Sequence, residues 1–142
     1  MPGYSGTPLP KKLGIKAGFR VWFVDLQSEV RAELSAELAA CEMVSDGKTP
    51  LDFAMVFTKS GTLLTKEFKK LGKRLAPAGM LWVSWPKKSS GVATDLDENV
   101  VRKIGLAAGL VDVKVCAVTE IWSGLKFVIP VRNRPPAKRR SV

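Results

Sequence analysis

Five short, nearly continuous apolar runs punctuate this chain, and the first four are separated by amphipathic stretches. No other feature restricts the fold as much. An apolar run without polar alternation suits a strand buried on both faces, and the amphipathic stretches suit helices packed on such a sheet. The first run covers 20–25. Val30, Leu34, Leu38 and Cys41 then follow at i, i+4, i+8 and i+11, one apolar stripe opposed by Glu29, Glu33 and Glu37. Ser28 is placed to cap that helix. A turn cluster at 45–50 leads to a second strand over 51–57. A second helix over 62–75 has the stripe Leu64, Phe68, Leu71 and Leu75, with Lys66, Lys69, Lys70, Lys73 and Arg74 opposite. Pro77-Ala78-Gly79 closes it. The third strand covers 80–85, followed by a loop at 86–91. Asp95 or Asp97 caps a third helix that turns Val101, Ile104 and Ala108 inward and ends at Gly109. A fourth strand covers 111–118. Ser123-Gly124 then turns the chain into a fifth, 125–131, which Pro130 suits to an exposed edge.

The order β-α-β-α-β-α-β-β predicts an α/β fold: a doubly wound, mostly parallel sheet of about five strands, Rossmann-like. The last two strands are too close for a crossover, so they form an antiparallel hairpin. At 142 residues the chain is expected to hold one domain, 19–131, preceded by a basic Gly/Pro-rich arm, 1–18. A basic, Pro/Arg-rich tail, 132–142, reads as disordered.

Composition removes several chemistries. With no histidine there is no Ser-His-Asp triad, no His-ligated metal or haem, and no His general base. Cys41 and Cys116 alone make neither a zinc site nor a disulfide framework. They sit in apolar surroundings and read as packing residues. No metal and no cofactor is expected. The N-terminus lacks the apolar segment of a signal peptide, and no run approaches the ~20 residues of a membrane span. The expected location is cytoplasmic, with reduced thiols. The net charge of +10 is uneven. Residues 1–24 carry four bases and no acid, and 132–142 carry five bases and no acid. The remaining 14 bases and 13 acids leave 25–131 at +1.

Two resemblances follow from particular residues. The strand–helix alternation ending in a hairpin, with Leu75-Ala76-Pro77-Ala78-Gly79-Met80-Leu81-Trp82-Val83-Ser84, resembles the later half of the class I methyltransferase fold. That likeness implies an S-adenosylmethionine site in a Gly-rich turn after the first strand. Here the turn is Asp25-Leu26-Gln27-Ser28, without glycine, and the 42–50 segment is short for the family's second and third strands. Over nearly its whole length the chain also resembles a short bacterial family known only as a domain of unknown function. The motifs are Tyr4-Ser5-Gly6-Thr7-Pro8, Lys11-Lys12-Leu13-Gly14, Trp85-Pro86-Lys87-Lys88, Thr94-Asp95-Leu96, Asp112-Val113-Lys114-Val115-Cys116-Ala117 and Trp122-Ser123-Gly124-Leu125-Lys126-Phe127. That resemblance implies a fold and no activity.

In an open α/β sheet, ligands bind outside the carboxyl ends of the parallel strands. That rim gathers Asp25, Ser84, Trp85, Lys87, Lys88, Ser89, Ser90, Trp122 and Ser123, the expected site for a small anion or nucleotide. Lysines supply charge, a Ser/Gly turn supplies N–H donors, and tryptophan supplies a stacking wall. The plain alternatives are a solvated Lys loop, Trp85 packed on Trp122, and Asp25 as a helix-terminal carboxylate. The second helix's basic face reads as a solvated face. Arg132, Arg134, Lys138, Arg139 and Arg140 suit nonspecific nucleic-acid binding or a solubilising tail. The expectation is a non-catalytic binding or regulatory module. Its alternatives are a divergent S-adenosylmethionine-dependent methyltransferase and a nonspecific nucleic-acid-binding protein. Oligomeric state is open: an exposed last strand could pair with a copy of itself, and Pro130 and the Arg-rich tail argue against that.

Overall fold

In the computed structural model, which describes residues 6–134, the apolar runs pair into one six-stranded sheet. The strands are β1 (Arg20–Val24), β2 (Glu42–Met43), β3 (Leu51–Phe57), β4 (Leu75–Pro86), β5 (Val111–Ala117) and β6 (Trp122–Val128). The helices are α1 (Leu9–Leu13), α2 (Ser28–Glu33), α3 (Ser35–Ala39), α4 (Gly61–Gly72) and α5 (Glu98–Ala107). The sheet order is β2-β1-β3-β4-β6-β5. β2, β1, β3 and β4 run parallel, while β6 lies antiparallel between β4 and β5. This is the expected doubly wound α/β fold with a terminal hairpin.

The core has two sides. Val21, Val30, Leu34, Phe53, Met55, Phe57, Trp82 and Trp122 pack on one face of the sheet, under α1, α2 and α3. Leu64, Phe68, Leu71, Val83, Trp85, Val101, Leu125 and Phe127 pack on the other, under α4 and α5. Phe68 meets Phe127 edge-to-face at 4.9 Å, which seats α4 on β6. Each such side chain, fully buried, contributes about 1.5–3 kcal/mol.

Several expectations are corrected. The sheet has six strands because residues 42–43 pair briefly with β1. The first helix breaks into α2 and α3 at Leu34, and Gln27, not Ser28, precedes it without a side-chain cap. The second helix stops at Gly72. Leu75 keeps its burial as the first residue of β4, and Pro77-Ala78-Gly79 lies within that strand rather than closing the helix. There the β3–β4 register shifts, and a Cβ on Gly79 would stand 2.5 Å from the Leu51 carbonyl oxygen. Ser123-Gly124 is not a turn but part of β6, which spans Trp122–Val128. The hairpin turns at 118–121, where the Thr119 hydroxyl accepts from the Ile121 and Trp122 N–H groups. Gly124 is needed for closeness instead: a Cβ there would meet Val118 at 2.8 Å and the Trp82 ring at 3.2 Å. The exposed edge is therefore β5, not the last strand, which lies between β4 and β5. Of the two candidate caps for α5, Asp97 accepts from Val100 N–H at 2.8 Å.

Residues 6–18, expected as part of an arm, are held against the sheet. Leu9, Leu13 and Ile15 are buried, and the Trp82 indole donates to the Leu13 carbonyl at 2.9 Å. Leu9 and Leu13 lie one turn apart on α1 and so share the face that docks. Among the described residues, no helix is long and apolar enough to cross a membrane.

Candidate functional site

A parallel crossover commonly needs a dozen residues or more and a helix. The β2–β3 connection, 44–50, makes it with seven. Asp46 organises this loop by accepting from the Lys48 and Thr49 N–H groups and the Thr49 hydroxyl. Arg74 then clamps it. Its guanidinium donates to the Asp46 and Thr49 carbonyls, each at 3.0 Å, and lies 4.8 Å over the Trp22 ring. One arginine thus covers sheet surface that a crossover helix would otherwise bury.

The short crossover leaves a cleft of about 340 Å³ at the carboxyl ends of β1 and β2. Trp22, Phe23, Leu26, Met43 and Val44 line it with apolar surface; Asp25, Arg31 and Ser45 supply its polar groups. The connection after β1 leads towards β2 and the one after β3 leads the opposite way to β4, so the switch point where ligands bind in such sheets lies between β1 and β3, and the cleft flanks it at the end of β1. Asp25 closes β1 with φ 56, the one non-glycine residue with positive φ among the described residues. Gln27 fixes the turn by donating to the Asp25 carbonyl at 2.8 Å. A left-handed non-glycine residue carries strain, and such strain gathers at functional sites. Neither the Asp25 carboxylate nor the Arg31 guanidinium has a hydrogen bond or ion pair within the described residues. The cleft therefore presents one free anion, one free cation and an aromatic wall.

The other rim residues are arranged differently from expectation. Register places Ser84 opposite Gly124 and Trp85 opposite Ser123 on the same edge. Ser84, however, is fully buried and donates to the Ser123 carbonyl at 2.7 Å. Trp85 and Trp122 are 4% and 8% exposed and belong to opposite faces of the sheet. They neither stack on each other nor form a common wall; Trp122 packs edge-on to Phe57 instead. Pleating requires this, since Pro86 pairs with Trp122 and Trp85 lies one residue away. Ser90 folds back to donate to the Lys87 carbonyl at 2.6 Å, in the short 3-10 turn Lys88–Ser90. Lys88 and Ser89 are exposed and Lys87 is half-buried, and none of the three lines the cleft that holds Asp25. The adjoining edge is latched: Thr94 donates to the Lys59 carbonyl, and Asp95 accepts from Gly61 N–H at 2.9 Å.

Both thiols are pushed up by burial, which agrees with packing roles. Arg132 is exposed, and Arg134 donates to the Ile129 carbonyl. Lys138, Arg139 and Arg140 lie outside the described residues. Leu26, Arg31, Val44 and Ser45 escaped the strand-end rule. Arg31 carried one signal: it is the only base in an otherwise acidic helix region, 28–39.

The fold is that of class I methyltransferases. The chain superposes on an S-adenosylmethionine-dependent methyltransferase from Aquifex aeolicus with TM-score 0.61 and 17% identity, over 89% of this chain and 90% of that one. The CcbJ methyltransferase from Streptomyces caelestis gives 0.58 and 8%, over 91% and 93%. A precorrin-6y C5,15-methyltransferase from Geobacter metallireducens GS-15 gives 0.56 and 10%, over 86% of each chain. No family model and no curated protein sequence matches the chain.

Proposed function

We propose that this chain binds S-adenosylmethionine in the β1–β2 cleft and acts as a divergent methyltransferase. The supporting observation is the position of the cleft: it opens at the carboxyl end of β1, beside the switch point of a sheet whose fold is shared with solved methyltransferases. The residues present suit the ligand. Arg31 offers a fork to the amino-acid carboxylate, and Asp25 accepts from ammonium or ribose hydroxyl groups. Trp22, Phe23 and Leu26 give the adenine an apolar wall. The turn has no glycine, but Asp25 adopts the left-handed conformation for which glycine is usually used. When bound, S-adenosylmethionine supplies an electrophilic methyl group on its sulfonium.

Calorimetry with S-adenosylmethionine and its demethylated product tests the reading. Binding should appear, and Asp25→Ala and Arg31→Ala should each weaken it about tenfold, the loss of one charge-assisted contact. Silence at millimolar ligand would overturn it. Binding without methyl transfer from labelled donor to any component of a cell extract would leave a non-catalytic binding module instead.

A further inference from the structure

We propose that the lysine-lined face of α4 is a nucleic-acid-binding surface that holds the phosphate backbone without reading bases. The inference does not depend on S-adenosylmethionine binding. Lys66, Lys69, Lys70 and Lys73 lie at i, i+3, i+4 and i+7, so they share one helix face. With Arg74 and Gly47 they line a groove of about 520 Å³. Like charges at these spacings repel and weaken a helix. Lys66, Lys69 and Lys73 have no ion pair or hydrogen bond among the described residues to offset this. The single acid within this stretch, Glu67, is largely covered and reaches only Lys70, at 4.0 Å. An ordinary solvated face mixes signs; this groove contains no acidic lining residue, and the one carboxylate beside it, Asp46, is paired with Arg74 at 3.7 Å.

The groove also identifies its partner class. Its lining residues are four lysines, an arginine and a glycine, and its apolar surface is that of their flexible stems, so it has no aromatic platform for bases and no branched aliphatic or aromatic anchor for a bilayer or an apolar peptide. What remains is a row of ammonium groups. From Lys66 to Lys73 the helix rises about 10 Å, roughly three nucleotide steps of one strand. The four ammonium groups thus span a stretch of strand, and their flexible stems let them reach successive phosphates. The crossover loop 44–50 connects this groove, through Gly47, to the β1–β2 cleft, through Ser45.

The test is the salt dependence of binding to labelled DNA and RNA oligonucleotides of about 20 nucleotides, single- and double-stranded. Four neutralised phosphates contribute about 3 to 3.6 to the slope of log K against log salt. The intact chain should show at least that slope, and K66Q/K69Q/K70Q/K73Q should lose about 3 of it while keeping its circular dichroism spectrum. Replacing all four by arginine should preserve the slope. A chain truncated after Arg134 should keep the α4 share. An unchanged slope in the glutamine variant, or a slope carried wholly by residues 135–142, would overturn the proposal. So would tighter binding to phosphatidylserine-containing vesicles than to nucleic acid.

Discussion

Asp25 concentrates two demands on one residue. It must turn the chain left-handed after β1, and its carboxylate is the free anion of the cleft. Left-handed geometry costs a non-glycine residue about 1 kcal/mol, part of which glycine returns through its looser unfolded state. Asp25→Gly is therefore expected to raise the thermal midpoint by roughly 2 °C while weakening S-adenosylmethionine. A stabilised variant with undiminished binding would remove the carboxylate from the site. A second residue pair sets acid behaviour. Burial opposes the charged form of Asp52, but hydrogen bonds from the Arg20 side chain and N–H, with the guanidinium charge, outweigh it and leave the carboxyl depressed. A depressed folded value gives stability that is complete above the ordinary carboxylate range, about 3.9, and is lost as pH falls through the folded value. Acid unfolding should therefore begin below about pH 4. Asp52→Asn should lower the neutral-pH midpoint and flatten that acid limb, as read by thermal melts from pH 7 to 2. Asp25 was legible from the sequence as a strand-end residue. Its backbone conformation was not, because φ depends on the loop and on Gln27, and no local pattern encodes either.

At the level of elements, periodicity located the long helices and the central strands but misplaced their joints. Leu75 continues the α4 stripe numerically, yet the chain has already left the helix and the same leucine is buried as a strand residue. Hydrophobic spacing records burial, not the backbone that achieves it. Gly124 was misread for a related reason: a glycine in a strand and a glycine in a turn look alike until Trp82 is in place. The short β2–β3 crossover is the element on which the cleft depends, and Arg74 holds it. Arg74→Ala should destabilise the protein by about 2–3 kcal/mol, through two lost carbonyl contacts and an uncovered Trp22, and should loosen the cleft's Ser45 side. Arg74→Lys should recover little, since an ammonium cannot serve both carbonyls and the ring together. Urea denaturation of the two variants measures this; full recovery by lysine would assign Arg74 a purely coulombic role.

Across the whole molecule, most of the +10 lies in the flanking segments, and the nearly balanced charge of 25–131 is organised by layer. The acids Glu29, Glu33 and Glu37 belong to α2 and α3 on one face of the sheet, and the lysines belong to α4 on the other. The sequence shows an acidic helix and a basic helix, but only crossover geometry determines that they face away from each other. That separation has a measurable consequence. Sheet and helix layers stack at about 10 Å, so the acidic surface lies at least two layers from the α4 groove. This exceeds the ~8 Å screening length at physiological salt. The triple change E29Q/E33Q/E37Q raises net charge by three yet leaves the contacted phosphates the same. It should therefore leave the slope of nucleic-acid affinity against salt unchanged and shift affinity at 150 mM by less than about twofold. A gain in slope from that variant, comparable to the loss expected from neutralising α4, would mean that nucleic acid responds to total charge and not to a face.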